Sequence, residues 1–386
     1  MGNDRMSKKI LYISGTRADY GLMKSVLSAI RSHPDLSLDI GVTGMHLMPE
    51  FGSTLDEIRQ DGFSYHIIDA TYSNDSRDAM ALFVGECIHG CVGLLQQLKP
   101  DILLVLGDRG EMLSAAIAGA YLGIPVVHIH GGDLTSTVDD IARHTITKLS
   151  HVHCPATQES ADRIIKMGEN PEHVHVVGSP GIEQIMTESQ AEPEELSLKY
   201  SINWSRRLIL VIFHPETFDQ GDPSALMDKV LDAVLSFHEQ VIVIYPNADA
   251  GGRAMIDVIK KHAGDPDFHD YPNIPHRDYL GLLKKSSVIV GNSSSGIIEA
   301  PSFGIPAVNI GNRQRGRLKG KNVIDTGYTT DEIRAAVSKA FYDNSFRKSV
   351  KMAGNPYGDG RTSSKITRVL AKLQITQDLL QKRMMY

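Results

Sequence analysis

The feature that most restricts the fold is a repeated alternation of short, continuously apolar runs with longer amphipathic segments. Residues 10–14, 38–43, 102–106, 126–130, 152–155 and 174–177 are brief runs rich in Val, Ile and Leu. Such runs suit strands buried on both faces. Helical periodicity fills 22–31, 54–60, 80–98, 112–122 and 160–167 between them. This alternation predicts a parallel sheet made of right-handed βαβ units. The rhythm pauses near Gly178-Ser179-Pro180-Gly181, where an acidic, polar stretch follows, and restarts at 208–213, 241–245, 287–290 and 307–310. The expected architecture is therefore α/β with two doubly wound Rossmann-like domains. The first spans 1–180, a hinge and linker spans 181–204, and the second spans 205–362. A helical pattern in 363–386 is expected to cross back to the first domain. A length of 386 residues agrees with two domains of ordinary size. Ligands of open α/β sheets bind beyond the carboxyl ends of the strands, so the active site is expected in the interdomain cleft.

Composition narrows the partners. With 41% hydrophobic and 22% charged residues and a net charge of -6, there is no electrostatic reason to expect nucleic acid or an anionic membrane. The start is polar, and no run approaches the roughly 20 apolar residues that span a bilayer, so no membrane association is expected. Three cysteines, Cys87, Cys91 and Cys154, fit a reducing, cytoplasmic setting better than a disulfide framework. Cys87 and Cys91 sit one helical turn apart and read as core or helix-face thiols.

Four loops after strands concentrate polar groups. Gly15-Thr16-Arg17-Ala18-Asp19 opens a helix, where Arg17 could clamp a phosphate or instead pair with Asp19. Gly107-Asp108-Arg109-Gly110-Glu111 ends an apolar strand, and its charges must be paired or used. His128-Ile129-His130-Gly131-Gly132-Asp133 is followed by Asp139-Asp140 and Arg143-His144. Two residues apart on a strand, His128 and His130 are expected to face one side. Imidazole and carboxylate suit Zn or Mn, yet no ligand-spacing signature such as H-E-x-x-H occurs, so no metal is expected. Gly291-Asn292-Ser293-Ser294-Ser295-Gly296 runs into a helix expected to carry Glu299, a pattern suited to a diphosphate and a ribose. His214-Pro215 and the basic loop from Asn312 to Arg317 add polar groups at the same edge. That loop could equally be a solvated surface.

These motifs, with Val42-Thr43-Gly44-Met45-His46, Ile146-Thr147-Lys148 and Asn309-Ile310-Gly311, resemble the UDP-N-acetylglucosamine 2-epimerases over nearly the whole chain. The Gly-Thr-Arg-Ala-Asp-Tyr run is similar to the hydrolysing branch. The resemblance implies a glycosyltransferase-B-like fold, a homodimer, and a reaction without NAD or metal. In that reaction UDP-N-acetylglucosamine and water give N-acetylmannosamine and UDP, by elimination to a 2-acetamidoglucal and hydration with inversion at C2, feeding sialic acid-type synthesis. A UDP-diacetamido-trideoxy sugar as substrate, a non-hydrolysing epimerase, a glycosyltransferase and a nucleotide-sugar sensor are the alternatives. The resemblance makes Asp108 and Asp139 catalytic acidic groups and leaves the C2 base between His130 and Asp133. It puts His214 near the leaving phosphate and assigns Ser293, Ser294, Glu299, His276, Arg17 and Arg317 to the nucleotide. His46, Arg109 and Arg143 are implied as further polar residues of the cleft.

Overall fold

A computed structural model describes residues 7–48, 54–73, 77–134, 139–187, 189–215, 222–246 and 251–385. The chain folds as two compact units, Met1–Gln184 with Tyr357–Tyr386, and Ile185–Pro356.

The first unit runs β1 (Lys8–Ser14), α1 (Arg17–Arg31), β2 (Leu36–Val42), α2 (Thr54–Gln60), β3 (Tyr65–Ile67), α3 (Arg77–Leu98), β4 (Ile102–Leu106), α4 (Gly110–Leu122), β5 (Val126–Ile129), α5 (Asp139–Leu149), β6 (Val152–Cys154), α6 (Gln158–Lys166) and α7 (Pro180–Thr187). The last of these reaches a few residues past the boundary. Its strands form one parallel sheet ordered β3-β2-β1-β4-β5-β6. Every residue of β4 is buried, as its unbroken Ile-Leu-Leu-Val-Leu sequence requires of a strand covered on both faces. The order reverses between β1 and β4, which makes the carboxyl ends of those strands the natural ligand edge.

The second unit repeats the plan: α8 (Pro193–Tyr200), β7 (Leu208–Ile212), α9 (Pro223–Leu235), β8 (Gln240–Ile244), α10 (Gly252–Lys260), β9 (Phe268–Tyr271), α11 (His276–Lys285), β10 (Val288–Gly291), α12 (Ser295–Ile298), β11 (Ala307–Ile310), β12 (Val323–Thr326), α13 (Thr330–Tyr342) and α14 (Asn344–Met352). Its parallel sheet is ordered β12-β11-β10-β7-β8-β9, with the reversal between β7 and β10. The chain then returns to the first unit through α15 (Thr362–Lys372) and α16 (Gln377–Leu380). Ile366, Leu370 and Leu379 enter that unit's core beside Tyr20, Met23 and Leu27 of α1. The Lys8 ammonium donates to the carbonyls of Leu370, Ala371 and Leu373, closing the end of α15, where helical carbonyls lack intrahelical donors.

The structure departs from the sequence reading in several places. The stretch expected as a hinge is folded into the second unit from Ile185 onward: Lys199 and Tyr200 bind Asp278 of α11, and Trp204 donates to the Pro193 carbonyl. Residues 174–177 form no full strand: Val174 makes an isolated parallel bridge with His153, and the amides of His175 and Val177 donate to the carbonyls of His153 and Pro155. Three unexpected strands, β3, β9 and β12, are short sheet-edge strands whose Tyr-His-Ile, Phe-His-Asp-Tyr and Val-Ile-Asp-Thr sequences lack an apolar run. Finally, α3 is long and apolar enough by length and composition to cross a membrane. In the fold, its Phe83, Cys87, Cys91, Leu94 and Leu95 pack into the core against Leu11, Ile13 and Met112.

Candidate active site

At the carboxyl end of β1 the chain turns into α1 through a capping box. Thr16 accepts from the Asp19 amide, and the Asp19 carboxylate accepts from the amides of Gly15 and Thr16. The anion at this helix start is thus the protein's own Asp19, and burial raises its pKa against the lowering hydrogen bonds of Ser14 and Thr16. Arg17 is exposed and pairs with Glu57 at 2.8 Å, so neither expected role for it, on a phosphate at this loop or on Asp19, is the contact it makes here. Ser14 Oγ links Asp19 to His46 Nε2, at 2.5 and 2.9 Å. Burial pushes the His46 imidazole down to about 4, against the opposing influence of Glu111, so it is neutral near pH 7.

The charges after β4 pair in an order the sequence does not announce. Arg109 turns to Glu111, with Nε–Oε2 and Nη2–Oε1 both 3.2 Å, rather than to Asp108. Glu111 is fully buried, accepts from Tyr72 at 3.1 Å, and lies so close to the first loop that a Cβ on Gly15 would sit 2.5 Å from its Cγ. Asp108 instead binds Arg143 of α5. The same guanidinium reaches Asp140 at 3.2 Å and the Asp133 carbonyl at 3.1 Å. One arginine therefore gathers the loops after β4 and β5 and the start of α5. Asp139 opens α5, but its side chain lies outside the described residues.

The two histidines of the third motif separate. His128 is buried on β5, and its Nε2 donates to the Gly107 carbonyl at 2.7 Å. Its Nδ1 is then the acceptor facing Thr147 Oγ1 at 3.2 Å. Burial pushes it down to about 3, which keeps it a neutral brace. β5 ends at Ile129, and His130 adopts a left-handed φ of 61°. The period-two rule stops with the strand, so the imidazoles do not share a face as expected. His130 Nδ1 stands 3.7 Å from Asp133 Oδ2, while Ser160 Oγ donates to the other Asp133 oxygen. The edge thus brings together His130, Asp133, Asp108, Asp140 and Arg143.

In the second unit, Gly291 has φ 139°, and a Cβ there would lie 1.9 Å from the Ile212 carbonyl oxygen. Only glycine lets β10 leave the sheet this closely beside β7. The next residue, Asn292, is fully buried and forms a two-way bridge with the His214 main chain: it accepts from the amide at 2.7 Å and donates to the carbonyl at 2.9 Å. Arg313 and Gln314 donate to the Asn292 carbonyl at 3.1 and 2.8 Å, so the basic loop packs on the serine loop rather than being solvated throughout. Arg317 Nη1 donates to Gln314 at 3.2 Å, and its Nε is buried without a partner. The expected helix carrying Glu299 is a single turn, Ser295–Ile298, followed by a 3-10 turn. Ser295 donates to Glu299 and contacts the buried Tyr279 hydroxyl, so this carboxylate is already engaged inside the unit. Ser293 and Ser294 stand at the mouth of this turn, and His276 is exposed at the first position of α11, after β9.

Glu111 and Asn292 stand inside motifs that the sequence singles out, but neither is given a role of its own there. The signal was present for Glu111: a carboxylate in the first turn of α4, otherwise an almost wholly apolar helix.

Comparison with known proteins identifies the family. Residues 28–371 match the family described as UDP-N-acetylglucosamine 2-epimerase. The chain is 39% identical to the hydrolysing UDP-N,N'-diacetylbacillosamine 2-epimerase of Legionella pneumophila, over 98% of this chain and 99% of that protein. It is 36% identical to the UDP-N-acetylglucosamine 2-epimerase of Neisseria meningitidis, over 92% of this chain and 93% of that one. A crystal structure of the UDP-GlcNAc 2-epimerase from Neisseria meningitidis bound to UDP-GlcNAc superposes with a TM-score of 0.82 at 20% identity, covering 95% of this chain and 100% of the other. That likeness establishes the fold: two Rossmann-like α/β units.

Proposed function

The chain belongs to the UDP-N-acetylglucosamine 2-epimerase family, and from that premise we propose that it is a hydrolysing 2-epimerase of a UDP-linked 2-acetamido sugar. The observation that carries the reading is the Asp108–Arg143–Asp133–His130 cluster at the carboxyl edge of the first sheet. In this reading a base of that cluster removes the C2 proton as the C1–O bond to UDP breaks, giving a 2-acetamidoglucal. Water then adds at C1, and a proton returns to C2 on the opposite face. Inversion needs proton-transfer groups on both faces, and Asp108, Asp139 and the His130/Asp133 pair are the groups we assign. His214, fixed by Asn292, is assigned to the charge developing on the leaving diphosphate. Ser293, Ser294, His276 and Arg317 are assigned to the nucleotide, with Arg17 and Glu299 exchanging their Glu57 and Ser295 contacts for it, and no cofactor is required.

Two sugars compete. UDP-N-acetylglucosamine, giving N-acetylmannosamine, is the reading the sequence motifs imply. UDP-N,N'-diacetylbacillosamine is favoured by the end-to-end similarity to the Legionella pneumophila enzyme. The same proposal extends to a cytoplasmic homodimer. Three free, buried cysteines suit a reducing compartment, and sedimentation of the purified protein would test the dimer.

The deciding measurement is a proton NMR time course in deuterated water with each nucleotide sugar in turn. Free sugar of inverted C2 configuration carrying deuterium at C2, together with UDP, is the expected product. Absence of C2 deuterium would remove the epimerase reading, and a UDP-linked epimer as sole product would remove the hydrolytic one.

A further inference from the structure

A cation from the end of the chain sits beneath the helix that carries half of the acid–base cluster. Lys382 Nζ donates to the carbonyls of Thr147, Lys148 and Ser150, at 3.1, 2.6 and 2.5 Å. It also pairs with the buried Glu169 carboxylate at 2.7 Å. Those carbonyls form the C-terminal end of α5, where oxygens lack intrahelical donors and a positive charge is favoured. The opposite end of α5 carries Asp139, Asp140 and Arg143.

Two connections run from this lysine to Asp108. One follows α5 itself to Arg143, which grips Asp108. The other passes through Thr147, whose hydroxyl lies 3.1 Å from the Arg143 carbonyl and 3.2 Å from His128 Nδ1; His128 in turn holds the Gly107 carbonyl at 2.7 Å. Glu169 anchors the base of this arrangement by also binding Lys148 at 2.5 Å and His153 of β6 at 3.1 Å. From these contacts we infer that Lys382 is a positioning residue for the proton-transfer cluster, setting the height of α5 and through it the placement of Arg143 and Asp108. The inference rests on the 2-epimerase reading.

The tail is attached independently of this ammonium. Leu379 is buried in the core, and the Met385 amide donates to the Gly168 carbonyl at 2.9 Å. Removing the charge therefore tests position rather than docking. Lys382→Met, Lys382→Arg and, as a purely structural comparator, Leu379→Ala are compared with the wild-type chain for kcat, KM and thermal midpoint, using the nucleotide sugar that the wild type turns over. Because misplacement by about 1 Å costs about 100-fold in rate, Lys382→Met is expected to lower kcat tenfold or more with KM within about twofold. Lys382→Arg, which keeps a cation with several donors, should recover most of the loss. Leu379→Ala should lower the midpoint while leaving kcat near wild type. Equal kcat losses in Leu379→Ala and Lys382→Met, or an unchanged kcat in Lys382→Met, would overturn the inference while the wild-type activity stands. A wild type inert toward both sugars would instead bring down the functional reading, and this inference with it.

Discussion

Replacing Asn292 with alanine isolates the side-chain contact that ties the loop after β10 to the loop after β7, the two central strands of the second sheet. The Asn292 side chain accepts from the His214 amide at 2.7 Å and donates to the His214 carbonyl at 2.9 Å, from a fully buried position. Truncation leaves two main-chain groups without these partners, each costing about 1–3 kcal/mol where water does not replace the lost bond. A total near 2–6 kcal/mol corresponds to roughly 4–24 °C in the midpoint of a unit of this size. The catalytic consequence follows from the residue being held. If Asn292 acts by aiming His214 through its main chain, Asn292→Ala should lower kcat by up to about 100-fold, the loss that a displacement of about 1 Å can cause. The assay is release of UDP from the nucleotide sugar, read beside a thermal melt, for Asn292→Ala, His214→Ala and the double variant. The double variant should be no slower than His214→Ala, because the bridge has nothing left to aim. Rate losses that multiply in the double variant, or a single Asn292→Ala variant with unchanged kcat, would refute this reasoning.

Three further outcomes follow from the same geometry. His130→Asn and Asp133→Asn should each reduce kcat by about 100-fold or more, and the double variant should lose little beyond the worse single; C2 deuterium incorporation reports the step affected. Gly291→Ala should prevent assembly of the second unit, since its Cβ would lie 1.9 Å from a main-chain oxygen at a φ of 139°; soluble yield and circular dichroism measure it. Burial raises the Glu169 pKa, but donors from His153, Lys148 and Lys382 outweigh it and hold the carboxyl at about 2 against an ordinary 4.5. Its folded pKa is depressed, so its stabilising effect of about 3 kcal/mol is present above pH 4.5 and lost as pH falls toward 2. Glu169→Gln should thus be less stable than wild type at pH 6, with the gap closing between pH 4.5 and 2 in urea titrations.

The buried strands were legible because a strand covered on both faces must be continuously apolar, as β4 and β7 are. Three of the four edge strands were not, because β3, β9 and β12 have one neighbour each and tolerate His, Asp and Thr. Motif positions such as Asp108, Arg143, His214 and Ser293 could be picked out by type and spacing. Their partners could not. Arg109 and Arg143 are equally charged, and only the path of α5 gives Asp108 to Arg143. His130 was misplaced for a local reason: where β5 stops depends on the pairing of its neighbours, and the left-handed φ of His130 takes it out of the strand's alternation. Glu169 and Lys382 meet only because the chain returns to its first unit, a fact of topology that no local window contains.

That return also sets an order of assembly during synthesis. The second unit is continuous and has all its strands once residue 356 has left the ribosome. The first sheet is synthesised earlier, yet its Lys8 ammonium is satisfied by carbonyls at residues 370–373, and the end of α5 waits for Lys382. The nested unit can therefore close first, while the unit bearing the acid–base groups remains incomplete until the final turns arrive. Chains truncated after residue 360 and released from the ribosome should accordingly protect the second sheet from proteolysis and leave α1 and α5 open to cleavage.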